Sequence, residues 1–444
     1  MFAPEQGRRA RSRISMKSAA PTVPTAKSAS AGRSVTPLKS PLRRKPRLRL
    51  VPQAAELPQE RGGLPPKIAR YLATADIPSP CLVVDVDIVA HNFEELARSL
   101  PQARIFYAVK ANPADEIVSR LARLGSSFDT ASMGEIDLCL SHGVPADRLS
   151  FGNTIKKERD IAAAFAKGVR MYAFDSAAEL EKIARVAPGS KVYCRVLMEC
   201  EGAEWPLSRK FGCEPEMAVD LLVRANELGL DAYGLSFHVG SQQTDLTQYD
   251  KALGLSLSLF RDLGARGVNL RMVNMGGGFP SRYRTDVPSI AAYGEAIREA
   301  LTRHFGECQP EVIVEPGRGI VGDAGVIQAE VVLVSEKGGD DARRWVYLDA
   351  GKFHGLAETM DEAIRYRLLT SRDAAVKSKN DTSPVVLAGP TCDSADILYE
   401  KTDYRLPVEL QAGDKVWILA TGAYTTTYSA VAFNGFPPLA SVCI

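Results

Sequence analysis

The amino-acid sequence predicts an α/β protein in which a (β/α)8 barrel is followed by a mainly β region. Short apolar runs alternate with helical stretches eight times over about 230 residues, which favours a barrel over an open sheet. After residue 324, further apolar runs follow one another without regular helices between them. The chain has 444 residues, which exceeds the usual domain size, so more than one domain is expected.

Each predicted barrel strand is a short apolar run between polar segments. The runs are Ile105–Val109, Ser127–Asp129, Leu149–Phe151, Met171–Phe174, Val192–Leu197, Tyr233–Val239, Met272–Met275 and Val312–Glu315. Helical stretches separate them, as Pro215–Leu228 illustrates, and Gly229 after it is typical of a helix end. The apolar positions predicted to line one face of this helix are Met217, Ala218, Leu221, Leu222, Ala225 and Leu228.

The region after residue 324 is predicted to form a mainly β domain. Its strand-like runs are Val326–Ser335, Trp345–Asp349, Pro384–Ala388 and Lys415–Leu419. Ser79–Val86 is predicted to join this domain, since it precedes the first barrel strand. The predicted domains are an extension over residues 1–64, a joining segment over 65–86, the barrel over 87–324 and the C-terminal β domain over 325–444.

The basic N-terminal extension differs from the rest of the chain. Residues 1–50 hold thirteen Lys/Arg and one acidic residue, a charge of +12, whereas the remainder holds 42 basic and 52 acidic residues, a charge of −10. The extension is rich in Ala, Ser, Pro and Arg and is predicted to be disordered. It is interpreted as a solvated tail (with Met16 as an alternative start), an organelle transit peptide, or an arm around residues 43–47 that binds nucleic acid or anionic membrane.

Composition argues against several classes of protein. No run of about 18 apolar residues is present, so we expect no transmembrane helix, and the basic N-terminus lacks the apolar core of a secretory signal. The eight cysteines form no paired framework, which indicates reduced thiols. The five histidines show no ligand spacing, so no metal site is expected. We therefore expect a cytoplasmic protein whose body binds neither nucleic acid nor membrane.

The first predicted barrel strand ends at a lysine, Lys110. Active sites of such barrels lie at the carboxyl ends of the strands. An ammonium group pointing into the barrel mouth is costly unless it is paired or used, and a lysine placed there can form a Schiff base. A solvated strand end is the alternative interpretation.

The sixth and seventh predicted strands end in residues that suit a flat, phosphorylated ligand. His238 could stack on an aromatic cofactor, although a single histidine is more often structural. Gly276, Gly277 and Gly278 allow backbone N–H groups to approach an anion closely, as a phosphate cradle requires. A tight turn is the alternative interpretation of these glycines.

The eighth predicted strand ends in Glu315, and Arg318 follows three residues later. A guanidinium suits phosphate, although an internal Glu–Arg pair is the alternative interpretation. Four strand ends thus supply a Schiff-base lysine, a stacking ring, a phosphate site and a carboxylate. These are the parts needed to hold pyridoxal phosphate.

Eight motifs carry a resemblance to a known family. In chain order they are YAVKAN, FDTAS, SFHVGS, GGGFP, EPGR, GPTCDSAD, TGAY and FNGF. With these motifs the chain resembles the fold-type III pyridoxal-phosphate-dependent amino-acid decarboxylases, and most closely the ornithine decarboxylases, over residues 79–444. The resemblance implies an alanine-racemase-like architecture, a barrel that binds the cofactor plus a C-terminal β domain.

The resemblance also implies roles for individual residues. Lys110 would form the Schiff base with the cofactor, and Glu315 would pair with the ring nitrogen and keep it protonated. Glu135 matches a position near the cofactor. The cofactor-binding residues implied are Lys110, Asp129, Arg195, His238, Ser241, Gly276, Gly277, Gly278, Glu315, Gly317, Arg318 and Tyr424.

Three further residues are implied to act on the substrate. Cys392 matches the family's proton donor to the α-carbon, Asp393 matches the residue that binds the distal ammonium of the substrate, and Asp349 matches its partner carboxylate. A desolvated ammonium needs such compensating charge. In the family, Cys392 and Asp393 would enter the site of the neighbouring subunit of a homodimer, so that each active site is shared.

The implied reaction is decarboxylation of L-ornithine to putrescine and CO2. Residues 351–358 resemble bacterial members, some of which also accept lysine, and one methylene is worth only about 1–3 kcal/mol in a pocket. The run Thr391–Asp393 favours a cationic far end over diaminopimelate, and arginine decarboxylases of this fold are usually longer. The alternatives are a dual lysine/ornithine decarboxylase, a racemase of the same fold and a non-catalytic regulatory relative.

Overall fold

A computed structural model describes residues 63–198, 201–205, 210–339, 341 and 343–444. The predicted extension over residues 1–64 lies outside this range except for its last two residues, so its interpretations stay predictions. The described chain begins with helix α1 (Pro66–Thr74), strand β1 (Cys81–Val84) and helix α2 (Val86–Ser99). Among the described residues, no helix combines the length and the apolar composition needed to cross a membrane.

Eight parallel strands close into a barrel, which confirms the predicted fold class. The barrel strands are β2 (Ala103–Ala108), β3 (Ser127–Thr130), β4 (Leu149–Phe151), β5 (Met171–Phe174), β6 (Lys191–Arg195), β8 (Asp231–Ser236), β10 (Met272–Asn274) and β11 (Glu311–Val314). Each coincides with a predicted apolar run, with its ends displaced by at most three residues. Two short strands, β7 (Ala203–Trp205) and β9 (Ser241–Gln243), pair with each other outside the barrel.

The helices between the strands bury one apolar face each. They are α3 (Asp115–Leu124), α4 (Met133–Ser141), α5 (Glu158–Ala166), α6 (Ala177–Val186), α7 (Pro215–Glu227), α8 (Thr247–Ala265), α9 (Ile290–Phe305) and the short α10 (Arg318–Val321). In α7 the buried residues are Ala218, Val219, Leu221, Leu222 and Ala225. The predicted face was wrong at one position, because Met217 is 42% exposed.

A second, mainly antiparallel sheet contains all four strands predicted after residue 324. The strands are β12 (Gly325–Glu336), β13 (Arg344–Leu348), β14 (Leu368–Thr370), β15 (Thr382–Ala388), β16 (Ile397–Pro407), β17 (Lys415–Leu419) and β18 (Ala440–Cys443). Strand β1 pairs with β12 and β18, so residues 81–84 belong to this sheet. Strands β14, β16 and β18 were not predicted. The exact domain boundaries stay a prediction.

The sheet joins the barrel through a backbone contact at Gly422. A Cβ atom there would lie 1.9 Å from the carbonyl oxygen of Val321, so no larger residue fits without movement. The Asn112 side chain donates to the Gly422 carbonyl at 2.9 Å, and the Tyr424 N–H donates to the Ala111 carbonyl at 2.9 Å. These bonds hold the TGAY motif against the YAVKAN motif at the mouth of the barrel.

We expect Gly422→Ala to destabilise the protein by ~2 kcal/mol or more, because the added methyl group overlaps a backbone oxygen that cannot move alone. Thermal unfolding monitored by circular dichroism measures the effect. Gly264→Ala is the matched control: its new Cβ meets only Asn269 at 3.9 Å and it lies in helix α8, where alanine is favoured. Equal melting temperatures for Gly422→Ala and wild type would contradict the tight contact.

Candidate active site

Residues from five barrel strands converge at the carboxyl-terminal mouth of the barrel, where barrel enzymes hold their active sites. Lys110 follows strand β2, Asp129 lies in β3, and Arg195 is the last residue of β6. His238 follows β8 by two residues, and Glu315 follows β11 directly. The closed barrel therefore brings together residues that are up to 205 positions apart in sequence.

Lys110 and Asp129 form the central ion pair of the site. The lysine Nζ lies 3.0 Å from Asp129 Oδ2, and Ser150 donates to the other oxygen at 3.2 Å. Asp129 is buried, whereas the Lys110 side chain keeps 49% exposure. Burial lowers the pKa of Lys110, but the charges of Asp129, Tyr424 and Glu315 outweigh it and raise the pKa above its ordinary value. Lys110 is therefore a cation facing the barrel mouth.

Glu315 is held in a partly buried position by the strand beside it. Its carboxylate accepts a hydrogen bond from the Asn274 amide, whose oxygen in turn accepts from the Gly276 N–H at 2.9 Å. Burial, and then the nearby charge of Asp129, raise the pKa of Glu315 to about 7, while Lys110 acts in the opposite direction. A buried carboxyl with a raised pKa favours a cationic partner next to it.

His238 is neutral and oriented by the backbone. Its Nδ1 accepts from the Gly240 N–H at 2.9 Å, so a neutral ring carries its proton on Nε2. Burial, and then the charges of Arg195 and Lys110, lower the pKa of His238 to about 3. The ring is thus available for stacking at neutral pH rather than for proton transfer.

The three consecutive glycines allow neighbouring strand ends to pack backbone against backbone. A Cβ on Gly277 would lie 2.7 Å from the Glu315 carbonyl, and one on Gly278, which has a φ of +104°, would lie 2.8 Å from the Gly240 carbonyl. The Gly276 N–H is already bonded to Asn274. Of the predicted cradle, only Gly277 and Gly278 could therefore offer backbone donors to a phosphate.

The predicted phosphate residues Ser241, Gly317, Arg318 and Tyr424 cluster beside the glycines. Both terminal nitrogens of the buried Arg318 guanidinium face Glu358, at 2.6 and 2.7 Å, and Ser241 Oγ lies 3.2 Å away. The guanidinium carbon is 5.0 Å from the centre of the Tyr424 ring. A Cβ on Gly317 would lie 3.1 Å from the Tyr424 hydroxyl, so the absence of a side chain there keeps the cluster compact.

Two residues of this cluster were not predicted. Arg318 donates to the Tyr283 hydroxyl at 2.6 Å and forms its two-fold ion pair with Glu358. Glu358 lies in a 3₁₀ turn of the sheet region, and Tyr283 lies in the loop after β10. No sequence spacing links these three residues, so a single sequence gives no signal for their contact.

Arg195 and Glu135 flank the central pair. The Arg195 guanidinium lies 5.2 Å from the Phe211 ring, and burial lowers its pKa although the charges of Glu315 and Asp129 raise it. Glu135 accepts from the Ala131 N–H at 2.7 Å, and burial raises its pKa. Both act on the site through their charge.

Among the described residues, the predicted substrate residues form no hydrogen bond or ion pair with this cluster. Cys392 and Asp393 are exposed; the Cys392 N–H donates to Asn434, and the Asp393 carboxylate accepts from the Ala395 N–H at 2.8 Å. Asp349 accepts from the Glu330 N–H at 2.8 Å within the sheet. Among the described residues, no hydrogen bond or ion pair joins any of these three to Lys110. Their roles stay predictions.

The loop that carries Cys392 is nevertheless well ordered by its own contacts. The buried Asp396 carboxylate accepts from the Thr391 N–H at 3.1 Å and its hydroxyl at 2.7 Å, and from the Lys352 N–H at 2.8 Å. Asp396 thereby folds the loop so that Cys392 and Asp393 face outward.

Comparison with known proteins gives a consistent result. Residues 86–322 match the family model described as "Pyridoxal-dependent decarboxylase, pyridoxal binding domain". The chain is 36% identical to the lysine/ornithine decarboxylase of Selenomonas ruminantium, covering 81% of this chain and 88% of that protein. It is 33% identical to the ornithine decarboxylase of Caenorhabditis elegans, covering 81% of this chain and 85% of that protein. A crystal structure of the Selenomonas ruminantium lysine decarboxylase with PLP and cadaverine matches with a TM-score of 0.76 at 35% identity. That match covers 86% of this chain and 94% of the crystallised chain.

These matches identify pyridoxal phosphate as the cofactor, and the residues at the barrel mouth fit it. Lys110 offers the amine, and the Ser241 hydroxyl, which accepts from Arg318, keeps its own O–H to donate to the phosphate beside the Arg318 charge. Glu315, whose pKa burial raises, is placed to accept a ring cation.

Glu358→Gln tests the ion pair that organises the phosphate cluster. Removing one charge of a buried pair leaves Arg318 undercompensated, so we expect the cofactor-free protein to lose on the order of 3 kcal/mol of stability. The phosphate dianion replaces part of the missing charge, so pyridoxal phosphate should raise the melting temperature of Glu358→Gln more than that of wild type. Differential scanning calorimetry with and without pyridoxal phosphate measures both effects.

The exposed Glu227 provides the control for that experiment, because its pairing with Arg224 is a surface contact. Glu227→Gln should melt close to wild type in both conditions. An equal cofactor-induced shift in Glu358→Gln and wild type would show that Glu358 does not govern the charge at the phosphate cluster.

Proposed function

Because the chain belongs to the pyridoxal-dependent decarboxylases of the ornithine and lysine decarboxylase family, we propose that it converts L-ornithine to putrescine and CO2 and accepts L-lysine as a second substrate. The observation that carries the proposal is the Lys110–Asp129–Glu315 arrangement at the barrel mouth, with the Arg318 cluster beside it. It provides an amine, two carboxyl groups and a guanidinium at one end of the barrel.

The residues of this chain have separate tasks in that reaction. When bound, pyridoxal phosphate supplies an electron-withdrawing ring that takes up the electron pair left by CO2. Lys110 would hold the cofactor through its Nζ, and Arg318 with Ser241 and Tyr424 would hold its phosphate. Glu315 would keep a proton on the ring nitrogen, since an ionised carboxylate in a buried site is stabilised by an adjacent cation. His238, neutral at physiological pH, would pack on the ring.

We assign proton delivery and recognition of the far end of the substrate to the exposed loop. Cys392 would protonate the α-carbon after CO2 leaves. Asp393 would bind the distal ammonium together with Asp349, whose pKa burial raises, so that an approaching cation would favour its ionised form. Because Cys392 and Asp393 are exposed and, among the described residues, form no hydrogen bond or ion pair with Lys110 of their own chain, we propose that they complete the site of a second copy in a homodimer.

Substrate choice rests on the length of the amino acid. The Selenomonas ruminantium relative is named a lysine/ornithine decarboxylase, so both substrates occur in one relative of this chain. Since one methylene changes binding by about 1–3 kcal/mol, a site built for ornithine would discriminate against lysine by 10- to 200-fold at most. A cationic far end also suits Asp393 better than the carboxylate-bearing end of diaminopimelate.

Release of CO2 by the pyridoxal-phosphate-loaded protein, with ornithine, lysine, arginine and diaminopimelate compared in parallel, tests the substrate. We expect the largest kcat/KM for ornithine, measurable turnover of lysine, and little from the other two. Release from lysine that exceeds release from ornithine would make the protein primarily a lysine decarboxylase. Formation of D-ornithine without CO2 would instead indicate a racemase.

Mixing two inactive variants tests the shared site. Lys110→Ala loses the amine that holds the cofactor, and Cys392→Ala loses the proton donor, so each should lose most of its activity. If sites are shared, a mixed dimer contains one site with both residues intact, and we expect the equimolar mixture to recover up to about a quarter of wild-type activity. Native mass spectrometry of tagged chains verifies subunit exchange; exchange without recovery would show that each site is built from one chain.

A further inference from the structure

A second cavity lies away from Lys110, between the loop after β10 and strands β14, β16 and β17. Its volume is about 470 Å³. It is lined by Arg284, Tyr366, Arg367, Leu368, Leu369, Asp403, Tyr404, Arg405, Leu406 and Leu419. None of these residues was assigned to the cofactor or the substrate. Three of the ten are arginines, an unusual lining for a gap between a barrel and a sheet.

The arginines of this cavity are oriented by their surroundings. Arg284 stacks on the Tyr404 ring, with its guanidinium carbon 4.4 Å from the ring centre, and donates to the Asp403 carbonyl at 3.1 Å. Arg405 donates to the Thr382 carbonyl at 2.7 Å. Arg367 differs, because its buried Nε finds no hydrogen-bond partner among the described residues. Burying such a charged donor without a hydrogen bond is costly, so the Arg367 charge is less compensated than those of Arg284 and Arg405.

The charges that line the cavity do not cancel. Three lining residues are arginines (Arg284, Arg367 and Arg405) and one is an aspartate (Asp403), a net charge of +2. Burial lowers the pKa of Arg367, although the charge of Asp323 acts in the opposite direction. An excess of two positive charges favours an anion in this cavity.

We propose that this cavity binds a small phosphate-type anion, such as a phosphate monoester or pyrophosphate. A phosphate monoester carries a charge of about −1.5 to −2 at neutral pH, which matches the excess of +2, whereas a single carboxylate carries only −1. Phosphate oxygens also accept the paired N–H groups of several guanidinium groups at once. The volume suits a small phosphorylated molecule rather than a macromolecule.

The cavity is separated from the cofactor's phosphate cluster by one layer of tyrosines. Tyr366 lines the cavity and packs edge-on against Tyr283 with ring centres 5.3 Å apart, and Tyr283 accepts from Arg318 at 2.6 Å. A phosphate-type probe could therefore also enter the cofactor cluster. The test consequently uses protein loaded with pyridoxal phosphate, in which that cluster is filled.

Isothermal titration of the loaded protein with pyrophosphate tests the proposal. We expect saturable binding of one pyrophosphate per chain, and a loss of affinity of about tenfold or more in Arg367→Gln and in Arg284→Gln, since each removes a charge-assisted donor. Arg159→Gln is the matched control, because Arg159 is 78% exposed and belongs to a barrel helix. Its affinity should equal that of wild type.

Three results would overturn the proposal. They are absence of saturable binding at millimolar pyrophosphate, unchanged affinity in both cavity variants, and tighter binding of citrate than of pyrophosphate, which would indicate a polycarboxylate site. The visible absorbance of bound cofactor confirms that each variant is folded and loaded. Arg284→Gln keeps the test valid where Arg367→Gln does not fold, since Arg284 lies on a loop rather than beside a buried strand.

Discussion

Charge crowded at the mouth of the barrel is the constraint on which the rest of this structure depends. Lys110, Asp129, Arg195 and Glu315 lie at the ends of four strands of the closed barrel, so the backbone holds their charges near one another. Burial and mutual repulsion raise the pKa of Glu315 to about 7, while the carboxylates keep Lys110 a cation. Because burying an ion without compensation costs several kcal/mol, the arrangement keeps each cation beside a carboxylate.

Backbone packing makes that density of charge possible. Gly152 lacks a side chain where a Cβ would lie 1.8 Å from Asp129 Oδ1, and Gly277 lacks one where it would meet the Glu315 carbonyl. The sheet contributes in the same way, since Gly422 allows the loop that carries Tyr424 to lie directly on the barrel. These glycines allow charged side chains to occupy space that methyl groups would otherwise fill.

Much of this arrangement could be predicted from the sequence, because its determinants are local. Apolar runs predicted every barrel strand, and the residues that follow them, such as Lys110 and Glu315, predicted the site. Contacts between distant residues could not be predicted. Glu358 meets Arg318 across 40 positions, and no periodicity relates them. Strand β16 was missed because the charged residues within Ile397–Pro407 interrupt its apolar pattern.

The family resemblance implied that Cys392 and Asp393 serve a neighbouring subunit, but no local pattern of residues predicted that both are exposed in one chain. Their motif predicts the chemical roles of these two residues. Their exposure depends on Asp396, which accepts hydrogen bonds from Thr391 and Lys352 and so determines the direction of the loop. A motif identifies a residue's chemistry, but its position in space depends on tertiary contacts.

The two arginine clusters differ in how their positive charge is compensated before a ligand binds. Arg318 is balanced in advance by Glu358, with both terminal nitrogens within 2.7 Å of carboxylate oxygens, so the guanidinium stays oriented before any phosphate arrives. Arg367 has no such carboxylate on its Nε, and Asp323 and Asp286 act on it through their charges. The carboxylate partner lowers the net free energy gained when an anion binds to Arg318, but it fixes the orientation of the guanidinium. This suits a cofactor that must be held in one orientation for chemistry. An arginine without a carboxylate partner gains more free energy when an anion binds, but it restricts the orientation of that anion less. This suits a ligand that only has to bind. The difference between these clusters therefore separates a site built for catalysis from one built for association.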